Sequence, residues 1–173
     1  MSLDISLYNS ADEEVASMNW QRSPFGLCQW AEDNVGDGQL SLYHVCNDWA
    51  YDKSADVDRA EFKRVVDLYW KAIKELKRGY FYFDLPAYIQ FVEGNTKSFP
   101  RTQWGSIVNV QYVDERARIK IPMEYFSSMK YSDDPWFEMI GYNTLEYYKN
   151  RFAKLVEFAE LLQDKSLRFE CSN

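Results

Sequence analysis

The sequence predicts an α+β fold, and three observations lead there. Two long segments, 58–78 and 144–164, carry their apolar residues in a single stripe at helical spacing. Several short segments, among them "LDISLY" and "ARIKIP", alternate apolar and polar residues as half-buried strands do. No glycine-rich turn links a strand to a helix, and strands are not regularly interleaved with crossover helices, which disfavours a doubly wound parallel sheet. The expected architecture is one domain over residues 1–173. It is a mostly antiparallel sheet of five or six strands with two long amphipathic helices and several short helices packed on it.

Taken in order, "LDISLY" (3–8) is the first strand, with Leu3, Ile5 and Leu7 on one face and Asp4, Ser6 and Tyr8 on the other. "SPFGLCQWAEDN" starts a short helix with Ser23 as N-cap and Pro24 at the first helical position, where its missing N–H costs nothing. "VGDG" ends it. "LSLYHVC" (40–46) reads as the second strand. The first long helix, 58–78, places Phe62, Val65, Val66, Tyr69, Ala72, Ile73 and Leu76 on one stripe. Asp58 and Glu61 give it a capping-box-like start, and Gly79 a stop.

"YFYF" (80–83) is a short strand, and "DLPAYIQFVEG" a short helix capped by Asp84. After the loop "GNTKSFP", the segments "SIVNVQYV" and "ARIKIP" form a hairpin joined near "DER", with Ile119 and Ile121 inward and Arg118 and Lys120 outward. "DDPWFEMIGY" repeats a helix start at Asp134 and Pro135. The second long helix, 144–164, is capped by Asn143 with Glu146 three residues on, and its stripe is Leu145, Tyr148, Phe152, Leu155, Ala159 and Leu162. "SLRFEC" is the last strand.

Composition narrows the function. A hydrophobic share of 46% with 17% aromatics excludes a disordered chain. The N-terminus has no basic region followed by an apolar run, and no apolar stretch approaches the roughly 20 residues that span a bilayer. Cys28, Cys46 and Cys171 are odd in number and far apart, which fits reduced thiols in the cytoplasm. Charge is unevenly placed. Residues 1–60 hold eleven carboxylates against three cations, a balance of −8, whereas the remaining residues hold 16 carboxylates against 17 cations. Such an acidic first third argues against nucleic acid or anionic membrane as a direct partner and permits a basic protein partner.

Chemical motifs are sparse. His44, the only histidine, shares the more apolar face of its expected strand with Leu40, Leu42 and Cys46, which reads as core packing. The spacing of Cys-x-x-Cys or paired histidines that zinc requires is absent, so no metal or other cofactor is expected. No nucleophile elbow or phosphate loop occurs. Helix capping accounts for Asp56, Asp58 and Glu61. The Glu-x-Lys pairs at 61–63 and 75–77 lie within a helix, where positions i and i+2 point apart.

What stands out is "NDWAYDKSADVD" (47–58), where Asp48, Trp49, Tyr51, Asp52 and Asp56 mix carboxylates with aromatics. A basic, partly apolar partner is met by such a surface. The expectation is a cytoplasmic, non-catalytic acidic binding protein that acts by protein–protein interaction, such as a toxin-immunity or phage anti-defence inhibitor. Its contact residues are Asp48, Trp49, Tyr51, Asp52 and Asp56, supported by Glu13, Glu14 and Asp37. Its partner is a basic protein, for instance a toxin or a nucleic-acid-binding protein. The alternative is a small enzyme whose site assembles around His44 from dispersed residues.

Overall fold

The computed structural model describes residues 2–21, 26–37, 42, 58–84, 118–123 and 144–172. The chain is α+β, and it divides into two compact units, Met1–Leu76 with Tyr148–Asn173, and Lys77–Tyr147. The described strands fall into two antiparallel sheets, one of three strands and one of two, rather than one sheet of five or six.

In the first unit, β1 (Ser2–Tyr8) is central and pairs antiparallel with β2 (Glu14–Gln21) and with β5 (Arg168–Ser172). Register sets the faces. Ile5 lies between Met18 and Cys171, and Leu7 between Ala16 and Phe169. Directly opposed residues point to the same side, and here that side is the core: Ile5 and Leu7 are fully buried, Phe169 and Cys171 nearly so. The other face is polar, with Arg168 over the Tyr8 ring at 4.9 Å and paired with Asp12 and Glu170.

β2 was not expected from the sequence, which reads no element between Tyr8 and Ser23. Asn9 makes the reversal: its Oδ1 accepts the N–H groups of Ala11 (2.9 Å) and Glu13 (3.0 Å), and Asp12 takes the left-handed φ of 59° that Asp tolerates. Leu7 pairs with Ala16 and Tyr8 with Glu14, so Val15 is an extra, unopposed residue, a β-bulge.

Three helices complete the unit. Helix α1 (Leu27–Val35) begins at Gly26, later than Ser23 and Pro24 suggest, and no side chain caps it. Burial of Leu27, Cys28, Trp30 and Ala31 fixes its limits, overriding the cap signal upstream. Helix α2 (Arg59–Ile73) has the expected Asp58 cap, whose side chain accepts the Glu61 N–H at 2.9 Å. The box is not reciprocal, because Glu61 turns forward to Arg64 instead. The helix stops at Ile73, well short of Gly79. At the start of helix α3 (Leu145–Leu161) the Thr144 Oγ1 accepts the Tyr147 N–H at 3.1 Å, and Asn143, the expected cap, lies outside the described residues. Within its expected stripe, Tyr148, Phe152, Leu155, Ala159 and Leu162 are buried.

α2 and α3 lie antiparallel. Lys63 of α2 meets Glu160 at 2.9 Å, Trp70 stacks on Phe152 at 6.2 Å, and Lys149 Nζ donates to the Lys74 carbonyl at 2.8 Å. At the far end Arg59 donates to the carbonyls of Leu162, Asp164 and Leu167 at 2.9, 2.7 and 2.9 Å. Gln163 returns a bond to the Arg59 carbonyl at 2.8 Å. From α1, Trp30 stacks on Tyr148 with ring centres 4.7 Å apart.

In the second unit, β3 (Tyr80–Asp84) pairs antiparallel with β4 (Arg118–Pro122). β4 was expected to pair with 106–113, which lies outside the described residues, as do the short helices expected after Asp84 and at Asp134. Gly79 is buried and is not a helix cap. Its carbonyl accepts the Met123 N–H at 3.0 Å, and a Cβ there would press on the Met123 side chain, which would have to shift.

Replacing Arg59 by Met keeps the apolar stem but removes donors to three carbonyls. We expect a loss of about 2 kcal/mol of stability, read as a lower urea midpoint at unchanged m-value. Arg59→Lys, a point charge without the fork, should recover less than half of it.

Candidate functional site

The described structure holds one polar cluster inside the apolar core of the first unit. Cys28 and Glu32 are one helical turn apart on α1, so they share a side of it. Opposite stands Tyr69, on the apolar stripe of α2 and only 5% exposed. Its hydroxyl donates to Glu32 Oε2 at 2.7 Å, while Glu32 Oε1 accepts the backbone N–H of Leu42. One carboxylate thus ties α1 to α2 and to the residue ten positions on.

Electrostatics fix the roles. Burial, above all, holds the Tyr69 phenol protonated well above its ordinary range. The hydrogen bond to Glu32, the charge of that carboxylate, and smaller contributions from Cys28 and Asp37 push the same way. Tyr69 is therefore a fixed donor, and Glu32 accepts from it. That pairing satisfies a buried phenol and orients the carboxylate. Sequence reasoning missed it because the two residues are far apart in the chain. The available signal was a tyrosine on a buried stripe, whose hydroxyl needs a partner.

Leu42 is the described residue of 40–46, and it is helical and fully buried, not part of an extended strand. Its N–H goes to a side-chain carboxylate, where a strand would send it to a neighbouring backbone. His44 and Cys46 lie outside the described residues. Cys28 and Cys171 are both buried.

Of the expected contact residues, Asp48, Trp49, Tyr51, Asp52 and Asp56 lie outside the described residues. Glu13, Glu14 and Asp37 are described and exposed, all in the first unit. Glu13 accepts from Asn9 Nδ2 at 2.8 Å, and Glu14 from Ser17 Oγ at 2.8 Å and from the Tyr8 hydroxyl at 3.5 Å. Those are neutral donors, and among the described residues neither glutamate has a cation partner. Asp12, next to them, is neutralised by Arg168 at 2.6 Å. Asp37 sits just past the C-terminus of α1. Glu13 and Glu14 are thus brought together at the turn of the first hairpin.

The second unit has a shallow cavity of about 270 Å³ lined by Lys77, Arg78, Gly79, Met123, Thr144, Leu145 and Glu146. Two cations and a carboxylate share its wall, a mixture that selects no one ligand charge. Among the described residues no group of three or more His, Cys, Asp or Glu is placed to hold a metal ion.

Tyr69→Phe leaves one Glu32 oxygen without its donor and should cost about 1–2 kcal/mol at pH 7. The pH dependence has a definite sign. A phenol whose acidity is weaker in the folded than in the unfolded chain stabilises the fold below the unfolded pKa of about 10, and that stability is lost as pH rises beyond it. Urea midpoints between pH 8 and 11.5 should therefore fall more steeply for the parent protein than for Tyr69→Phe. Parallel curves would remove the pairing from the list of pH-sensitive contacts. No family model, curated protein or solved structure matches this chain.

Proposed function

We propose that this chain is a non-catalytic acidic binding protein of the cytoplasm that engages a basic protein partner. An inhibitor of the kind exemplified by toxin-immunity and phage anti-defence proteins fits its size and charge. The observation that carries the reading is the uncompensated charge of Glu13 and Glu14, exposed with neutral partners, in a chain whose first 60 residues balance at −8. Carboxylates left free of cations on the surface favour oppositely charged partners by steering encounter and fixing register. On this reading Asp48, Trp49, Tyr51, Asp52 and Asp56 form the main contact, aromatic anchors among charges, with Glu13, Glu14 and Asp37 as supporting field. Among the described residues no helix is long and apolar enough to cross a membrane.

A second reading, a small enzyme built around His44, draws on one observation. The Glu32 carboxylate takes the N–H of Leu42, two residues before His44, and carries the Tyr69 hydroxyl on its other oxygen. A carboxylate and a tyrosine close to that part of the chain are what an acid–base site would recruit.

Affinity capture from lysate of the source cell, washed at low and then high salt, should release one dominant basic protein. With that partner in hand, Asp48→Asn, Asp52→Asn and Asp56→Asn together should weaken binding by at least about ten-fold and flatten its salt dependence. Unchanged affinity would end the assignment of these residues. For the second reading, the lone imidazole gives one pair of ring signals in the NMR spectrum. Titration with a metabolite panel should move them if His44 serves a site, and signals that stay fixed throughout argue for a structural histidine.

A further inference from the structure

Among the described residues, the three-stranded sheet of the first unit has β2 at one edge and β5 at the other, and the two edges differ. On β5, Phe169 and Cys171 are buried, and two of its five residues are charged, Arg168 and Glu170, which pair with each other. On β2, Glu14, Val15 and Ser17 are exposed, Val15 by 46%, and Ala16 and Met18 are half-buried. A free strand edge offers a row of backbone N–H and C=O groups to any extended chain, and proteins usually guard it with lysine, proline or a bulge. β2, "EVASMNWQ", contains no lysine and no proline, and one charge in eight residues where the whole chain has 27% charged residues. Its one guard, the bulge at Val15, lies at the turn end and leaves 16–21 in unbroken register with β1. Beside that turn stand Glu13 and Glu14, without a cation among the described residues.

We infer that the β2 edge is a docking site for an extended, basic polypeptide segment. The segment adds as a strand alongside 16–21, its backbone completing the ladder while Lys or Arg side chains reach Glu13 and Glu14. Charge complementarity selects this occupant over a second copy, because two chains of net charge −7 repel. The inference rests on the acidic-binding reading above and gives the partner a conformation and a place.

The test uses the full chain, isotope-labelled for NMR, and three probes of about ten residues, long enough to cover one strand. They are an alternating Lys–Thr peptide, the same peptide N-methylated at every residue, and an alternating Glu–Thr peptide. The Lys–Thr peptide should shift the amide signals of 16–21 and slow their hydrogen exchange. N-methylation, which removes every backbone donor, should weaken binding by about ten-fold or more. Glu13→Gln with Glu14→Gln should weaken it as well. If the N-methylated peptide binds as tightly, or shifts are confined to the hairpin turn, strand addition is wrong while the acidic-binding reading stands. If Lys–Thr binds no better than Glu–Thr, the acidic-binding reading fails, and this inference fails with it.

Discussion

The fork of Arg59 is the contact on which the first unit's arrangement depends. A helix leaves its last carbonyls without intrahelical donors, and they carry the negative end of its dipole. In α3 the turn that follows supplies donors to the carbonyls of Phe158, Glu160 and Leu161, and just past the helix end one guanidinium serves the carbonyls of Leu162, Asp164 and Leu167. Arg59 is itself the first residue of α2, so the contact sets the start of one long helix against the end of the other. Everything along the pair then follows in antiparallel register: Lys63 at Glu160, Trp70 on Phe152, Lys149 at the Lys74 carbonyl. Because α3 leads directly into β5, the same contact places the strand that covers β1 on its second side. Gln163, bonded both to Arg59 and to its own helix at Ala159, closes the junction from the other direction.

How far this was legible in the sequence depends on what each element rests on. The two long helices were readable because their burial follows a 3.6-residue period, with Phe62, Val65, Val66, Tyr69 and Ile73 on one and Tyr148, Phe152, Leu155 and Ala159 on the other. Their ends were less so. Thr144 and Asn143 are both good caps, and Gly79 looks like a helix stop while serving a close approach to Met123. β2 was missed for a definite reason. Ala16 and Met18 follow the period of two, but both are weak strand formers, and Val15, the strongest strand former nearby, is the bulged residue and out of phase. The Glu32–Tyr69 contact, like the Arg59 fork, joins positions distant in sequence, and no local pattern encodes it. Of the candidate contact residues, the sequence singled out Glu13 and Glu14 by charge alone. It could not show that Asp12 beside them is neutralised by Arg168 while they are not.

That contrast shows how this chain distributes its charge. On the outer face of the sheet Arg168 lies over Tyr8 and is shared between Asp12 and Glu170. Lys63 is likewise held by Asp67 and Glu160, and Arg64 by Glu61. Exposed pairs of this kind contribute little to stability, since solvent screens them and holding two long side chains costs entropy. Their effect is to cancel field locally. Against that background the two glutamates of the hairpin turn have no cation partner among the described residues, and they stand beside a strand edge with one charge in eight residues.

On the proposed reading, salt would separate binding from folding in this protein. The contacts that hold the first unit together are buried apolar stripes, stacked rings and the bonds from Arg59 to backbone carbonyls, none of which is an ion pair between exposed groups. Screening at a Debye length of about 8 Å leaves these contacts nearly untouched while it erodes attraction between separated surface charges. A complex held through Glu13, Glu14 and the acidic segment upstream of Asp58 would come apart as salt rises, with both partners still folded. Because release would not require unfolding, the salt dependence of such a complex reports the interface alone. On the proposed reading, the residues that build the core and those that would select the partner are different ones.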